Sequence, residues 1–368
     1  MTFTARLCPI TENDAWHQLY IEALEPNPFF GPGFLLPYAG HMMPGQLALA
    51  VVEDTATGRW LMTAPVGRKR AGFLVPTATL WASDYGPLGT PLIHPDCPAE
   101  AVPAFLLAAS SVTTLPGSSR LDIPYLPLTG HASALLRAGA NGWTATDNRH
   151  TARAAHSGGA DGAAQLAKVW TPKRRKEYDR LARRLSELGD VCEESYRGAA
   201  ALNAFEAFLR LEASGWKGRG GTALLSTEQT ANFSRGFIAA MAAQDRLRID
   251  MIRLNSEAIA ALVLVEHQGR SHAWKIAFDE TLARFSPGQR VALQALRRNL
   301  EDPRLTAGGD SLAVPGHPMI DPLWRGRMGY TTLRLGRGPL AAPLDALKEM
   351  DRLAYTSAKR LYHRLKRR

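Results

Sequence analysis

The clearest pattern of hydrophobic and polar positions lies between residues 247 and 300. Leu247, Ile249 and Met251 alternate with polar residues, which is the two-residue period of a half-buried strand. A polar turn separates this segment from the almost continuous apolar run at 258–265. The sequence predicts, in order, strands over 247–251, 258–265 and 271–278 and a helix over 291–300.

Both remaining parts of the chain mix strand and helix patterns. A segment at 25–34 contains three prolines and two glycines and is predicted not to be helical. Apolar residues recur at helical spacing from the basic residues at Lys173 to position 188, which predicts a helix there. A second, long helix is predicted from Asp345 onward. Further predictions are helices over 101–114, 131–138 and 231–244 and strands over 46–53, 59–64, 119–123, 191–196 and 331–336. The alternation indicates an α/β protein.

The length of 368 residues suits two domains of ordinary size. Hydrophobic residues make up 45% of the chain and charged residues 21%, which is typical of a globular protein. The segment 153–162 is rich in Gly, Ala and Ser and marks a boundary. We therefore predict an N-terminal domain over 1–160 and a C-terminal domain over 161–368.

The net charge of +10 is unevenly distributed. Residues 1–150 contain eight basic and eleven acidic side chains, whereas residues 151–368 contain 36 basic and 23 acidic ones. A basic second half predicts an anionic partner. Coenzyme A, RNA and an anionic membrane surface all meet that description, and charge alone does not choose among them.

Several classes of protein are disfavoured by what the sequence lacks. No apolar run reaches the length of a membrane helix, and the N-terminus has no signal-peptide pattern, so we expect a cytoplasmic protein. Cys8, Cys97 and Cys192 are scattered, which predicts inert thiols and not disulfides or zinc ligands. The ten histidines never occur at ligand spacing, so no metal site is predicted.

The loop before the last helix of the central segment can hold phosphates. Ser286, Pro287 and Gly288 open directly into the predicted helix, so backbone N–H groups and the positive end of the helix dipole face the loop. Two arginines flank this turn and suit phosphate contact. The predicted donor-binding residues are Arg284, Ser286, Pro287, Gly288, Gln289 and Arg290.

An ordered set of short motifs resembles the acyl-CoA-binding core of the GNAT superfamily. More narrowly, the set resembles the CelD/BcsL-type acetyltransferases, which are related to the Fem-type peptidoglycan aminoacyltransferases. The resemblance covers residues 173–327. Its motifs are Trp216-Lys217-Gly218, Trp274-Lys275, Phe278-Asp279-Glu280, Ser286-Pro287-Gly288 and Trp324.

The resemblance implies an α+β fold made of tandem GNAT-like domains, each with a mixed, mostly antiparallel sheet flanked by helices. It also implies direct transfer of an acyl group from acyl-CoA, with acetyl-CoA as the simplest donor, to an amine or a hydroxyl group. Such transfer requires a base for the attacking group and hydrogen-bond donors for the oxyanion.

The candidate catalytic residues are Asp279, Glu280 and Lys275, with Asp84 supplied by the first domain as the resemblance implies. Glu212 is a further candidate base. A salt bridge between Lys275 and a carboxylate, or a simple turn at Asp84, would explain the same residues without catalysis. The resemblance assigns five residues to the substrate site, namely Tyr85, Trp216, Lys217, Trp274 and Trp324.

One departure from the related families keeps other functions open. Met319 and Ile320 stand where relatives usually have a Tyr-Lys pair. An aminoacyl-tRNA-dependent, Fem-like transferase would use the same double fold, with the basic segment 173–184 and the basic tail 359–368 contacting tRNA. A non-catalytic GNAT-like binding protein is the third alternative. The same basic tail also suits peripheral contact with an anionic membrane.

Overall fold

The structure of the protein is a computed structural model that describes residues 2–113 and 117–365, with side chains described up to Arg360. The end of the predicted helix at Thr114 and the last three residues of the basic tail lie outside the described residues. The chain forms two compact units. Unit 1 comprises Met1–Leu35, Met43–His150 and Tyr330–Arg368, and unit 2 comprises Leu36–Met42 and Thr151–Gly329.

The described residues form thirteen strands and eleven α-helices. The strands are β1 (Phe3–Pro9), β2 (Leu47–Asp54), β3 (Trp60–Arg70), β4 (Pro76–Leu80), β5 (Leu92–Ile93), β6 (Ser119–Pro127), β7 (Thr144–His156), β8 (Val191–Arg197), β9 (Leu247–Leu254), β10 (Glu257–His267), β11 (Arg270–Phe278), β12 (Gly309–Asp310) and β13 (Gly326–Arg337). The helices are α1 (Asp14–Glu22), α2 (Pro32–His41), α3 (Val102–Ser110), α4 (His131–Gly139), α5 (Gly159–Val169), α6 (Pro172–Ser186), α7 (Gly198–Ser214), α8 (Trp216–Arg219), α9 (Glu228–Ala243), α10 (Pro287–Glu301) and α11 (Ala341–Leu365).

The sheet of unit 1 has the strand order β1-β2-β3-β4-β6-β13, with β5 paired to β3. All neighbours are antiparallel except β4 and β6, which are parallel. Its core includes the fully buried Trp16, whose indole N–H donates to the Phe30 carbonyl at 3.0 Å. The long helix α11 is tied to the same unit by the ion pair of Lys348 with Asp122.

The sheet of unit 2 has the order β12-β11-β10-β9-β8, and the end of β7 pairs with β12. Only β11 and β12 are parallel. The pairing of β10 with β11 shifts register where Val263 faces Lys275 and Leu264 faces Ala273, so Trp274 is the extra residue of a β-bulge. The predicted strands and helix of residues 247–300 are confirmed as β9, β10, β11 and α10.

Helices cover both faces of this second sheet. Leu262, Leu264 and Ala273 face α10, with Val291 and Leu296 of that helix in the same buried cluster. On the other face, the bulged Trp274 contacts three phenylalanines of α7 and α9, namely Phe205, Phe233 and Phe237. Successive side chains of a strand point to opposite faces of the sheet, so the same strands contribute residues to the cores on both sides.

A buried polar network lies beside α10. Arg153 donates twice to the carboxylate of Asp310, at 2.7 and 2.6 Å, and neither side chain is accessible to solvent. Asn299 of α10 donates to Nε2 of His156 at 2.9 Å, which leaves the Nδ1–H of His156 to donate to the Ser157 carbonyl. Burial lowers the pKa of His156 to about 4 and has the same effect on His272, whose pKa is also about 4.

The predicted fold class is confirmed: the protein is a mixed α/β protein with mostly antiparallel sheets flanked by helices. The prediction that 25–34 contains no helix is wrong at its end, because α2 begins at Pro32. Proline is tolerated in the first turn of a helix, where its missing N–H would have no intrahelical acceptor. The predicted domain boundary at residue 160 stays a prediction about independent folding.

Candidate active site

A cavity of about 590 Å³ lies in unit 2, at the end of β11 and the beginning of α10. Its walls come from the end of α7, from α8, from β11 and from the loop after β12. The lining residues are Leu211, Glu212, Gly215, Trp216, Lys217, Ile276, Ala277, Phe278, Glu280, Ala283, Ser286, Gly288, Gln289, His317, Pro318 and Met319. The cavity is thus largely apolar with a few polar groups, as is usual for a small-molecule site.

A nearly buried ion pair borders this cavity. The Lys217 Nζ lies 2.7 Å from Oε1 of Glu212, and the second carboxylate oxygen of Glu212 accepts the Leu224 N–H at 2.8 Å. Lys217 also lies 3.5 Å from the carbonyl oxygen of Ile276 in β11. Because a lysine ammonium has three N–H donors, one donor of Lys217 remains for a bound molecule.

His317 brings an imidazole to the same cavity, and the sequence analysis did not select it. Its Nδ1 is buried without a hydrogen-bond partner among the described residues. Burial lowers the pKa of His317, and the nearby cation of Lys217 lowers it further, while Asp321 acts in the opposite direction. A neutral imidazole beside an ammonium can accept a proton at neutral pH.

The N-terminus of α10 forms one wall of the cavity. Ser286 adopts the left-handed conformation (φ 54°, ψ 46°) immediately before Pro287, the first residue of the helix. The amides of Gly288 and Gln289 belong to the first turn and have no intrahelical acceptor. Met319 packs directly on Gly288, because a Cβ atom added there would clash with the Met319 sulfur and lie 3.2 Å from Phe278 Cδ1. Any side chain at position 288 would therefore have to displace Met319.

A second cavity, of about 1030 Å³, meets the same helix N-terminus from the other side. It shares Ser286 and Gln289 with the first cavity. Its remaining lining residues include four cations, namely Lys168, Lys173, Arg174 and Arg325. Tyr178 donates its hydroxyl to Gln289 Oε1 at 3.4 Å, and burial raises the pKa of Tyr178 to about 12, so this hydroxyl stays neutral. An apolar and a basic cavity thus meet at one helix end.

Seven of the predicted site residues line the apolar cavity: Glu212, Trp216, Lys217, Glu280, Ser286, Gly288 and Gln289. Glu280 holds the segment that carries two of them. Its carboxylate accepts the Trp216 N–H at 2.7 Å and pairs with Arg219 at 2.5 Å, and both contacts, Arg219 first, lower its pKa. This segment is helical over Trp216–Arg219, as α8, and has an ionised carboxylate at its N-terminus.

Other predicted residues near the loop do not line this cavity. Asp279 accepts the N–H and the hydroxyl of Thr281, at 2.9 and 2.7 Å, and so caps the short 3-10 helix that follows it. Lys275 lies 5.8 Å from the ring centroid of Trp274. Arg290 is paired with Glu193 at 2.7 Å. Pro287 is buried as the first residue of α10, and Arg284 is exposed and stacks on the ring of Phe285.

Two predicted tryptophans belong to the cores of unit 2. Trp274 is 6% exposed within the aromatic cluster of α7 and α9. Trp324 is fully buried, and its indole N–H donates to the Ala292 carbonyl of α10 at 3.3 Å, which anchors the loop that carries His317 and Met319. In unit 1, Asp84 accepts the hydroxyl of Tyr125 at 3.3 Å, next to Tyr85 in the turn closed by Ser83 and Gly86. The catalytic and substrate roles of these residues stay predictions.

Nowhere in the described part of the chain do three His, Cys, Asp or Glu side chains converge in an arrangement that could ligate a metal ion. None of its helices combines the length and the hydrophobicity needed to cross a lipid bilayer.

Comparison with known proteins places the cavity in a family context. Residues 172–306 match the family described as "Acetyltransferase (GNAT) domain". A comparison with curated protein sequences gave no match.

Three solved structures share the fold across nearly the whole chain. FemX has a TM-score of 0.56 at 10% identity, covering 94% of this chain and 99% of its own. A conserved protein of unknown function from Bacteroides thetaiotaomicron has a TM-score of 0.53 at 12% identity, covering 91% and 99%. The C-terminal domain of a putative lysylphosphatidylglycerol synthetase from Agrobacterium fabrum has a TM-score of 0.51 at 9% identity, covering 92% and 94%.

The matched segment contains α6 to α10 and so supplies most of the walls of the first cavity and half of the residues that line the second. The narrower resemblance to CelD/BcsL-type enzymes stays a prediction. Residues 172–306 of this chain are thus similar to GNAT-type acetyltransferase domains.

Proposed function

We propose that the protein transfers an acyl group from acyl-CoA directly to an amine or hydroxyl acceptor, with acetyl-CoA as the simplest donor. The observation that carries this proposal is the meeting of an apolar and a basic cavity at the N-terminus of α10. An acyl thioester with a nucleotide at its far end has the same division into an apolar and a phosphate-bearing part. The phosphates would lie against Lys168, Lys173 and the first-turn amides of α10.

The chemistry needs a group that accepts a proton and a donor for the oxyanion. In this proposal the acceptor's nitrogen or oxygen attacks the thioester carbonyl, and His317 takes the proton that the nucleophile loses. The free N–H of Lys217 donates to the oxyanion while Glu212 holds the ammonium in place. The C–S bond then breaks, and the protonated His317 returns this proton to the leaving thiolate, which gives free CoA. The walls of this site would be held by Asp279, Glu280 and Lys275. The catalytic role predicted for Asp84, in unit 1, stays a prediction that mutation can test.

A second donor is favoured by one specific observation. The helix α6 exposes Lys173, Arg175, Lys176, Arg183 and Arg184, and none of these forms a salt bridge with another described residue. This exceeds the positive charge that the phosphates of one CoA need, and it suits the backbone of a nucleic acid. An aminoacyl-tRNA donor, as in the Fem-type enzymes that the sequence resembles, would place the aminoacyl ester in the same apolar cavity.

Isothermal titration calorimetry of the purified protein tests the proposal. Acetyl-CoA, longer acyl-CoAs and deacylated tRNA are titrated at two salt concentrations. We expect acyl-CoA binding that Gly288→Trp abolishes, because the indole would occupy the space between Met319 and the first-turn amides. The matched control is Gly40→Trp, since Gly40 lies in unit 2 with open space at its Cβ position.

Two outcomes would overturn the acyl-CoA assignment. Salt-dependent binding of tRNA without any binding of acyl-CoA would assign the aminoacyl-tRNA reaction. Binding of neither donor, by a protein that is folded by circular dichroism, would leave the non-catalytic alternative.

A further inference from the structure

Exposed hydrophobic side chains cluster on unit 1 where the β3–β4 hairpin meets α11. We call the cluster the apolar patch, and it consists of Phe73, Leu74, Leu347, Met350, Leu353 and Tyr355. These six account for six of the sixteen large exposed hydrophobic side chains among the described residues. Leu74 is 71% exposed and Met350 67%. Single exposed hydrophobics are ordinary, whereas a contiguous group marks an interaction site.

The hairpin tip is held in place by one carboxylate of the helix. Asp351 accepts the backbone N–H groups of Phe73, Leu74 and Val75, at 2.8, 2.8 and 3.0 Å. These three hydrogen bonds lower the pKa of Asp351, so the carboxylate stays ionised at neutral pH. Gly72 lies so close to Asp351 that any side chain there would clash. The tip is therefore fixed while its two hydrophobic side chains project outward.

The helix extends the same surface. The ring of Phe73 packs edge-on against Tyr355, with 5.1 Å between the centroids. Leu347 and Met350 are three residues apart and lie on neighbouring positions of the helix beside Asp351, and Leu353 follows one further step around it. Arg360 comes seven residues after Leu353 and lies on the same side of the helix as Leu353.

Cations border the apolar patch. Arg68, Lys69 and Arg70 are the exposed last residues of β3, directly below the hairpin tip. Lys359 and Arg360 are exposed on the last described turns of α11. None of these five forms a salt bridge with a described residue, although the charge of Arg70 helps to lower the pKa of Asp351. Glu349 pairs instead with Arg334 and Arg352.

We propose that the apolar patch and its bordering cations bind the surface of an anionic lipid bilayer. Aromatic and aliphatic side chains that project beside unpaired cations have the composition of surfaces that enter the interface between headgroups and acyl chains. The cations add attraction to anionic headgroups, roughly fivefold in partitioning for each one. A protein partner or a second copy of this chain would not require a cationic border around the apolar side chains.

Vesicle sedimentation tests the proposal with the full-length protein and without any acyl donor, so its result is independent of the proposed enzymatic function. We expect the protein to sediment with phosphatidylcholine vesicles that contain phosphatidylglycerol, and to do so less at high salt or with phosphatidylcholine alone. The double variant Phe73→Ser with Leu74→Ser should lower partitioning at least roughly tenfold, because each side chain loses its burial in the interface. Arg68→Glu with Arg70→Glu should abolish the preference for phosphatidylglycerol.

The matched control is the double variant Ile21→Ser with Leu107→Ser, which removes two exposed hydrophobic side chains of unit 1 outside the apolar patch. Its partitioning should equal that of the wild type. Thermal melting of every variant checks folding, which should be unchanged because the altered side chains are exposed. Equal partitioning of the wild type and the hairpin variant would overturn the proposal. So would a concentration-dependent dimer that Met350→Ser with Leu353→Ser dissociates, since that result assigns the face to self-association.

Discussion

The ammonium of Lys217 lies 2.7 Å from the carboxylate of Glu212, five residues earlier in the chain, across the end of α7. The pair borders the apolar cavity, and its cation also acts on His317. The Lys217 charge, which the Glu212 carboxylate of α7 holds in place, thus acts on His317 in the loop that closes the cavity. This relationship allows the protonation state of His317 to be changed without altering His317 itself.

Replacing Lys217 should raise the pKa of His317. In the wild type we expect a pKa below the ordinary value of 6.5, because of burial and the Lys217 charge. Lys217→Gln removes the charge and should move the midpoint upward. Histidine NMR signals followed across pH, with the His317→Gln spectrum for assignment, measure both values. In a kinetic assay the acidic limb of kcat/KM should move the same way, and His317→Gln should lower kcat roughly 10²–10⁴-fold. An unmoved midpoint in Lys217→Gln would contradict the coupling.

Gly288 and Met319 should behave as a compensating pair. Gly288→Ala places a methyl group against the Met319 sulfur, so we expect weaker donor binding. Adding Met319→Ala to this variant removes the obstructing side chain and should restore part of the affinity. Calorimetry with acyl-CoA on the two single variants and the double variant gives the coupling, and Gly40→Ala is the control for an unobstructed glycine. Additive effects would show that the two positions do not share a site.

Charge reversal in the basic cavity should weaken donor binding selectively. Lys173→Glu and Lys168→Glu each remove a charge-assisted contact of about 1.5–3 kcal/mol and should lower affinity for acyl-CoA roughly tenfold or more. Arg210→Glu changes the same charge on the exposed face of α7 and is the matched control. We expect a smaller salt dependence of binding in the two cavity variants. Equal losses in all three variants would indicate a general electrostatic effect instead of a phosphate site.

Stability should fall as the pH decreases from 6.5 toward 4, because His156 and His272 are neutral in the folded protein. Their pKa values are about 4 when folded and return to about 6.5 on unfolding, so the unfolded chain binds more protons within this window. The difference amounts to about 3 kcal/mol for each histidine at the acidic end. Urea unfolding at several pH values measures the slope. His156→Gln should remove about half of it, whereas the surface variant His41→Gln should retain all of it.

Local periodicity was sufficient to predict the central part of unit 2. The strands β9, β10 and β11 and the helix α10 each carry their own pattern, and the turn at Asn255 and Ser256 has the left-handed conformation that polar turn residues tolerate. The N-terminus of α10 was predictable for the same reason, since Ser286-Pro287-Gly288 is a local signal. Lys217 and Trp216 were selected from the family resemblance, and both line the cavity.

The sequence did not reveal His317, because tertiary packing alone brings it to the cavity. It lies in an irregular loop that is anchored by Trp324 and by the Gln289 side chain, which donates to the Pro318 carbonyl at 3.2 Å. Nothing in the local pattern marks such a loop as the wall of a site. The helix α2 was missed for a different reason. Its Pro37 lies inside the helix, which propensity disfavours, and the packing of Tyr38 against Phe233 offsets that cost.

Unit 1 is built from three separate segments of the chain, so its parts become available for folding at different times during synthesis. The strand β6 leaves the ribosome early, but its antiparallel partner β13 and the helix α11 are completed only after the residues of unit 2. Until then β6 has an unpaired edge, and the hairpin tip at Phe73 lacks the Asp351 carboxylate that fixes it. A nascent chain released at residue 160 would expose this edge to aggregation. Unit 1 therefore reaches its final structure only after the residues of unit 2 have been synthesised.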